Sequence, residues 1–251
     1  MVRKVFDSKY RQLKKIPIFT VNKRKKEQAK AFEWSNKILS AVYRIAEIAS
    51  SSKDLNSFFS NVHQIVSELM YAKNFLVVIY DEETGIISSP YFSNEKDEVF
   101  STQSLDEFHG IAGYLIRTGN PIYHGRNQIN QLISNGDAVI QDTELKDGIG
   151  APLKNGDRVI GAIFLQIIED GIYYTERDDK ILASLATAIT NGLTRFFTLE
   201  TERKRSAELE IVNLIQTCLA EEEPFEIIVD AAGMKLCRIF NPVRMAIGFY
   251  D

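Results

Sequence analysis

Between Gly148 and Gln166 two apolar runs meet at Asn155-Gly156. Asn-Gly between apolar runs is the strongest short-range signal for a tight antiparallel hairpin. The second run, Val159 to Ile168, is mixed only with Gly161, Gln166 and small residues. A strand that is apolar on both faces needs cover on both faces, so this one belongs in the middle of a sheet. Its glycines read as geometry rather than binding: Gly156 for the turn, Gly161 for close approach of a helix or neighbouring backbone.

Taken in order, the rest of the chain supplies that cover. From Ala31 apolar residues recur at helical steps (Phe32, Ile38, Val42, Ile45, Ile48, Ala49), while Pro17 argues against a helix continuing through it. Ser50-Ser51-Ser52 break the pattern, and Asp54 is placed to cap a second helix with Leu55, Phe58, Phe59, Val62, Val66 and Leu69 on its buried side. Asn74–Asp81 is a buried strand by its β-branched and aromatic content, and Ile86–Phe92 is its return. A polar loop follows, with an edge strand expected around Val99. A short helix is expected over Leu105–Arg117, stopped by Thr118-Gly119-Asn120-Pro121, then a short strand at Ile122-Tyr123-His124 and a weak helical patch from Gln128 to Ser134.

Beyond the hairpin, Thr175 opens a helix, with Asp178 at the reciprocal position of a capping box. Leu182, Ala186, Ile189, Leu193 and Phe196 form a seam of 3.5-residue period, expected to serve as a dimer and signalling surface. Apart from Gly192 nothing breaks the pattern before Pro224, and a helix from Thr175 to Leu219 would run about 67 Å at roughly 1.5 Å per residue. Glu200 to Ser206 has no apolar face, so that part crosses solvent or lies along a partner helix.

An internal repeat comes at an offset of 170 residues: Leu39 falls on Leu209, Val42 on Val212, Ile45 on Ile215, Tyr80 on Tyr250 and Asp81 on Asp251. Helix, helix and first strand thus occur twice. One strand and two helices cannot bury a sheet face, so the second copy is expected to be part of a longer tandem arrangement.

Three segments carry a resemblance. G-x-P-L-x-x-G-D-R-V-I-G-x-I-x-L-Q in the hairpin, Gly113-Tyr114-Leu115-Ile116-Arg117-Thr118-Gly119-Asn120-Pro121-Ile122, and Tyr174-Thr175-Glu176-Arg177-Asp178 together resemble GAF domains, the small-molecule-sensing modules of signalling proteins. The resemblance implies an α+β fold: a twisted antiparallel sheet of about six strands with flanking helices, first and last helices together on one face, and a ligand pocket under loops on the other. The expected organisation is a basic arm over 1–33, a GAF-like domain over 34–197, a helical linker over 198–220 and a partial second repeat over 204–251. On that footing Tyr91, Phe92, His109, Asp142 and Glu144 are the candidate pocket residues. His124 also borders the pocket.

The chemistry is legible mainly by what is missing. The only cysteines are Cys218 and Cys237. GAF-fold methionine sulfoxide reductases need reactive pocket cysteines, and bilin-attaching relatives need one for a thioether bond. Neither chemistry is available, so no catalytic residue is assigned. No covalent bilin, cyclic-nucleotide motif, P-loop or metal-ligand spacing occurs, and the cofactor stays unknown. Residues 1–30 carry eleven Lys/Arg against Asp7 and Glu27, a net of +9, within a chain whose formal net charge is −4. Such an arm could touch an anionic membrane surface, but a solvated segment is the plainer reading; nothing indicates specific nucleic-acid binding. The expected setting is cytoplasmic, the expected partner a second copy through the helices, and an unidentified small ligand is expected in the pocket. A ligand-free dimerisation or spacer module is the alternative.

Overall fold

The computed structural model describes residues 18–93, 102–123, 125–139 and 145–240. The expected edge strand around Val99, the pocket residues Asp142 and Glu144, His124, and the first strand of the second copy all lie outside the described residues.

Helix α1 (Ile18–Ser51) begins immediately after Pro17 rather than at Ala31. The basic arm assigned to 1–33 is therefore helical from Ile18 onward. Proline restricts what precedes it but suits a helix start, where its missing N–H is not needed. The Lys, Arg, Gln and Glu of the next turns are good helix formers even without an apolar stripe. The Ser52 hydroxyl donates to the Ile48 carbonyl at 2.7 Å where α1 ends. Asp54 then caps α2 (Leu55–Ser67), its carboxylate accepting from the Ser57 N–H at 2.7 Å.

Strands β1 (Asn74–Asp81), β2 (Ile86–Ser93), β3 (Gln103–Ser104), β4 (Asp147–Asn155) and β5 (Arg158–Ile167) form one antiparallel sheet in the order β3-β2-β1-β5-β4. Five strands are thus described where about six were expected. The segment at Ile122 is one bridge to Gly150, closed by paired backbone hydrogen bonds of 2.8 and 3.0 Å. β5 is an interior strand between β1 and β4 and is largely buried, as its apolar sequence requires. In the hairpin Asn155 pairs with Arg158, so the loop is Gly156-Asp157, one residue later than Asn155-Gly156. Gly156 has φ +63, a left-handed conformation that glycine takes without the Cβ penalty. At Gly161 a Cβ would stand 2.4 Å from the Val78 carbonyl oxygen, so β1 and β5 can lie side by side here only with glycine.

Helix α2 covers one face of the sheet, its His63 ring stacked on Phe75 at 5.2 Å. The other face carries α3 (Ile111–Thr118) and α4 (Arg126–Asn135). α3 begins six residues later than the expected Leu105, because residues 105–110 form a turn that the Arg117 guanidinium holds: it donates to the carbonyls of Leu105 (3.1 Å) and Phe108 (2.8 Å).

The chain divides into two compact units, Met1–Asn191 and Gly192–Asp251. Helix α5 (Glu176–Ala220) runs unbroken through the boundary, as its pattern predicted. Thr175 caps it, its N–H and hydroxyl both donating to the Asp178 carboxylate at 2.8 and 2.7 Å. In the second unit, α6 (Phe225–Phe240) starts 170 residues after α2, and Lys235 pairs with Glu210 at 2.7 Å.

Between α1 and the end of α2, Arg44 holds Glu68 by two hydrogen bonds of 2.5 and 2.8 Å. The Arg44 hydrogen bond holds the Glu68 carboxyl below its ordinary value, and the Ser57 backbone does the same for Asp54. Lowered carboxyls stabilise the fold above the ordinary carboxylate range and lose that contribution as pH falls through their folded values. The urea midpoint should therefore fall from pH 5 toward pH 3, and Glu68→Gln should flatten that slope. An unchanged slope would show that the pair adds nothing.

Candidate functional site

The face under α3 and α4 is where a pocket is expected. Successive residues of a strand point to opposite faces, and the β1 register fixes which is which. Leu76 and Val78 belong to the α3/α4 side, with Ala162 and Phe164 of β5. Phe92 pairs with Leu76 and so shares that face. Tyr91 pairs with Val77 and lies on the other: its hydroxyl meets His63 Nδ1 of α2 at 2.8 Å, and His63 Nε2 reaches the Ala72 carbonyl at 2.5 Å. Tyr91 is therefore not a pocket residue but part of the helix-side packing. His109 is exposed, and its carbonyl accepts from the Val139 N–H at 2.7 Å, joining two loops of the pocket side.

Leu115 and Ile116 of α3, Ile129 of α4, and Phe164 of β5 pack into one apolar cluster on this face. Gly148 and Gly150 of β4 provide the room: a Cβ there would stand 2.8 Å from Phe164 or 2.7 Å from Leu115. The cluster is thus hydrocarbon and aromatic carbon, with Asn74 and its partner Gln166 the polar pair on the same strand face. Such a surface suits an apolar ligand body or closes on itself. It offers no nucleophile beside a base, and no group of three or more His, Cys, Asp or Glu is placed to hold a metal among the described residues.

At the edge of that face lies a residue the sequence did not single out. Asp147 is 3% exposed. Its Oδ1 accepts from the backbone N–H of Arg126 (2.7 Å) and Gly148 (2.9 Å), and its Oδ2 from that of Tyr174 (2.8 Å). One carboxylate thus joins the start of α4, the start of β4 and the residue leading into α5. Gly125 gives it space, since a Cβ there would fall 1.9 Å from Oδ1. The Tyr174 hydroxyl continues the chain of contacts by donating to the Tyr71 carbonyl at 3.0 Å. Burial, and then the Asp147 charge, push the Tyr174 phenol well up, so it stays a neutral donor. Burial likewise raises Tyr123, with the Asp179 charge adding to it. The only local hint was an aspartate heading a glycine-rich strand; two of its three partners, Arg126 and Tyr174, are distant in sequence.

The seam Leu182, Ala186, Ile189, Leu193 and Phe196 is buried by the chain itself, at 0 to 6% exposure. A different row is open. On α1, Phe32 (70%), Leu39 (51%) and Tyr43 (69%) are exposed.

A five-stranded antiparallel sheet between a helix layer and a loop-and-short-helix layer, with an apolar cluster beneath the latter, is an α+β architecture. The GAF domain family matches residues 52–194, more than half of the chain, and the chain belongs to that family. GAF domains are sensory and regulatory modules of signalling proteins. Several solved structures share the fold. The GAF domain of an Acinetobacter phosphoenolpyruvate-protein phosphotransferase is 14% identical, over 64% of this chain and 94% of that one, with a TM-score of 0.50. Free methionine-R-sulfoxide reductase from Neisseria meningitidis is 14% identical, over 64% and 91%, at 0.51. A methyl-accepting chemotaxis protein is 12% identical, over 62% and 98%, also at 0.51. Comparison with curated proteins gave no match. The reductase shows that the fold can house an enzyme, whereas both cysteines of this chain lie outside the matched residues. Among the described residues no helix is long and apolar enough to cross a membrane.

Proposed function

We propose that this chain is the sensing and relay part of a larger signalling protein, of the histidine kinase, cyclase or phosphodiesterase kind, with no reaction of its own. A small molecule held on the α3/α4 face biases the packing of α1 and α5, and α5 carries the bias onward. The observation that carries this reading is Asp147, whose carboxylate ties α4 to the residue before the α5 cap. A ligand can shift such an equilibrium only by binding its two arrangements with different affinity. The test is hydrogen exchange with any metabolite that raises the melting temperature. Added protection should appear together in 126–135 and at the start of α5; protection confined to the pocket loops would break the relay.

The apolar packing on that face also supports the second reading, a ligand-free dimerisation and spacer module. In either case the chain pairs with a second copy, and α1 is the surface that supports this. Phe32, Asn36, Leu39, Tyr43 and Ala46 follow one another at alternating steps of four and three, the spacing of a coiled-coil seam, with Asn36 as a polar register-setting position. Ala41 and Ile45, which face the chain's own core, lie on the opposite side of the helix. Leu39→Glu should weaken dimerisation roughly tenfold or more, since it puts a charge into the seam. Light scattering at tens of micromolar checks this. An unchanged dimer would put the contact elsewhere. The second repeat, over 204–251, belongs to the same proposal, supported by the start of α6 at the repeat offset.

A further inference from the structure

The helix layer holds a groove of its own, away from the α3/α4 face. It lies between α1 and the first turns of α5, is open to solvent along one side, has a volume of about 470 Å³, and is lined by Trp34, Ser35 and Ile38 on one side and by Arg177, Lys180 and Ile181 on the other. That volume falls within the roughly 300–1,000 Å³ usual for small-molecule sites.

Its chemistry is mixed in a directed way. The Arg177 guanidinium lies over the Trp34 indole, 3.5 Å from the ring centroid. Stacking uses the flat face of a guanidinium and leaves its N–H groups, which point outward in the plane, free to donate. Lys180 follows Arg177 at the next turn, and neither cation forms an ion pair among the described residues. Glu176 is the one acid on the lining, so the groove carries a single net positive charge. The Trp34 Nε1–H is buried and finds no acceptor among the described residues. Ile38, Ile181 and the indole form an apolar floor beside these donors.

We infer that this groove is a second small-molecule site, one for a monoanionic organic acid with a flat apolar body. The acid group accepts from Arg177 and Lys180, and the body lies against the indole and the two isoleucines. A dianionic phosphate fits less well, because Glu176 leaves only one positive charge to match. Such a ligand bridges α1 and α5 directly, and so gives the helices an input that does not pass through the α3/α4 face. The inference stands independently of what that face binds.

The protein carries its own reporter, because Trp34 is its only tryptophan. Phenylacetate is the probe and phenylacetamide its uncharged control. Titration of the full chain should change Trp34 emission saturably, with a midpoint at about 1 mM or below, and should shift the single indole N–H resonance. The amide should bind at least roughly tenfold more weakly, a loss of one charge-assisted contact. Lys180→Glu, at an exposed position, should weaken phenylacetate to the same degree with the melting temperature unchanged. A linear response, an equal response to the amide, or full binding by Lys180→Glu at unchanged stability would each overturn the proposal.

Discussion

Asp147→Ala should lose roughly 3–5 kcal/mol of stability, because it removes the acceptor of three backbone N–H groups at a buried position. Domains of this kind hold only about 5–15 kcal/mol in all, so the variant should be partly unfolded near physiological temperature. Asp147→Asn is the finer probe. Its amide can keep one oxygen for Arg126 and Gly148, but it then presents an N–H₂ to the Tyr174 N–H, donor against donor. The expected loss is about 1–3 kcal/mol, centred on the lead-in to α5. Urea denaturation gives the ranking and hydrogen exchange gives the place. If both variants melt like the wild type, the carboxylate joins nothing that matters, and the relay loses its physical link.

The second large effect concerns the opposite question, how full the α3/α4 face is. Phe164 is 2% exposed in the cluster with Leu115 and Ile129. Phe164→Ala should cost about 3–5 kcal/mol, the range for deleting a buried aromatic ring. For a domain of this size that lowers the melting temperature by about 6–20 °C. Apolar cavities of this sort stay dry and take up small aromatics, so benzene should restore part of the loss in Phe164→Ala, and its effect on the wild type reports how much room the face already has. Equal stabilisation of the wild type by benzene would mean that the face is already open, favouring the sensor over the spacer.

How far the sequence could be read depended on the range of the interaction that decided each feature. The hairpin was legible because apolar runs and an Asn-Gly turn are local; only the turn slipped, by one residue, when the pairing of Asn155 with Arg158 placed the loop at Gly156-Asp157. The Thr175–Asp178 cap and the unbroken run of α5 were legible for the same reason. The start of α1 was not, because a polar helix has no periodicity to announce it. Tyr91 and Phe92 were grouped by character, yet neighbours in a strand cannot both face one pocket. The α5 seam shows a related limit: a 3.5-residue period reveals that a stripe is covered without revealing what covers it. Here the chain covers it itself, and the open stripe is the one on α1. Asp147 could not have been found locally, since Arg126 and Tyr174 meet only in the folded chain.

The central claim is that this GAF domain holds a small molecule on its α3/α4 face and reports it through α5. Native mass spectrometry of the protein purified from its own cells tests it most directly. The expected result is a species heavier than the chain by the mass of one small molecule per copy, lost on mild unfolding and reduced in Phe164→Ala. A spectrum showing only the bare chain, with no metabolite raising its melting temperature, would contradict it.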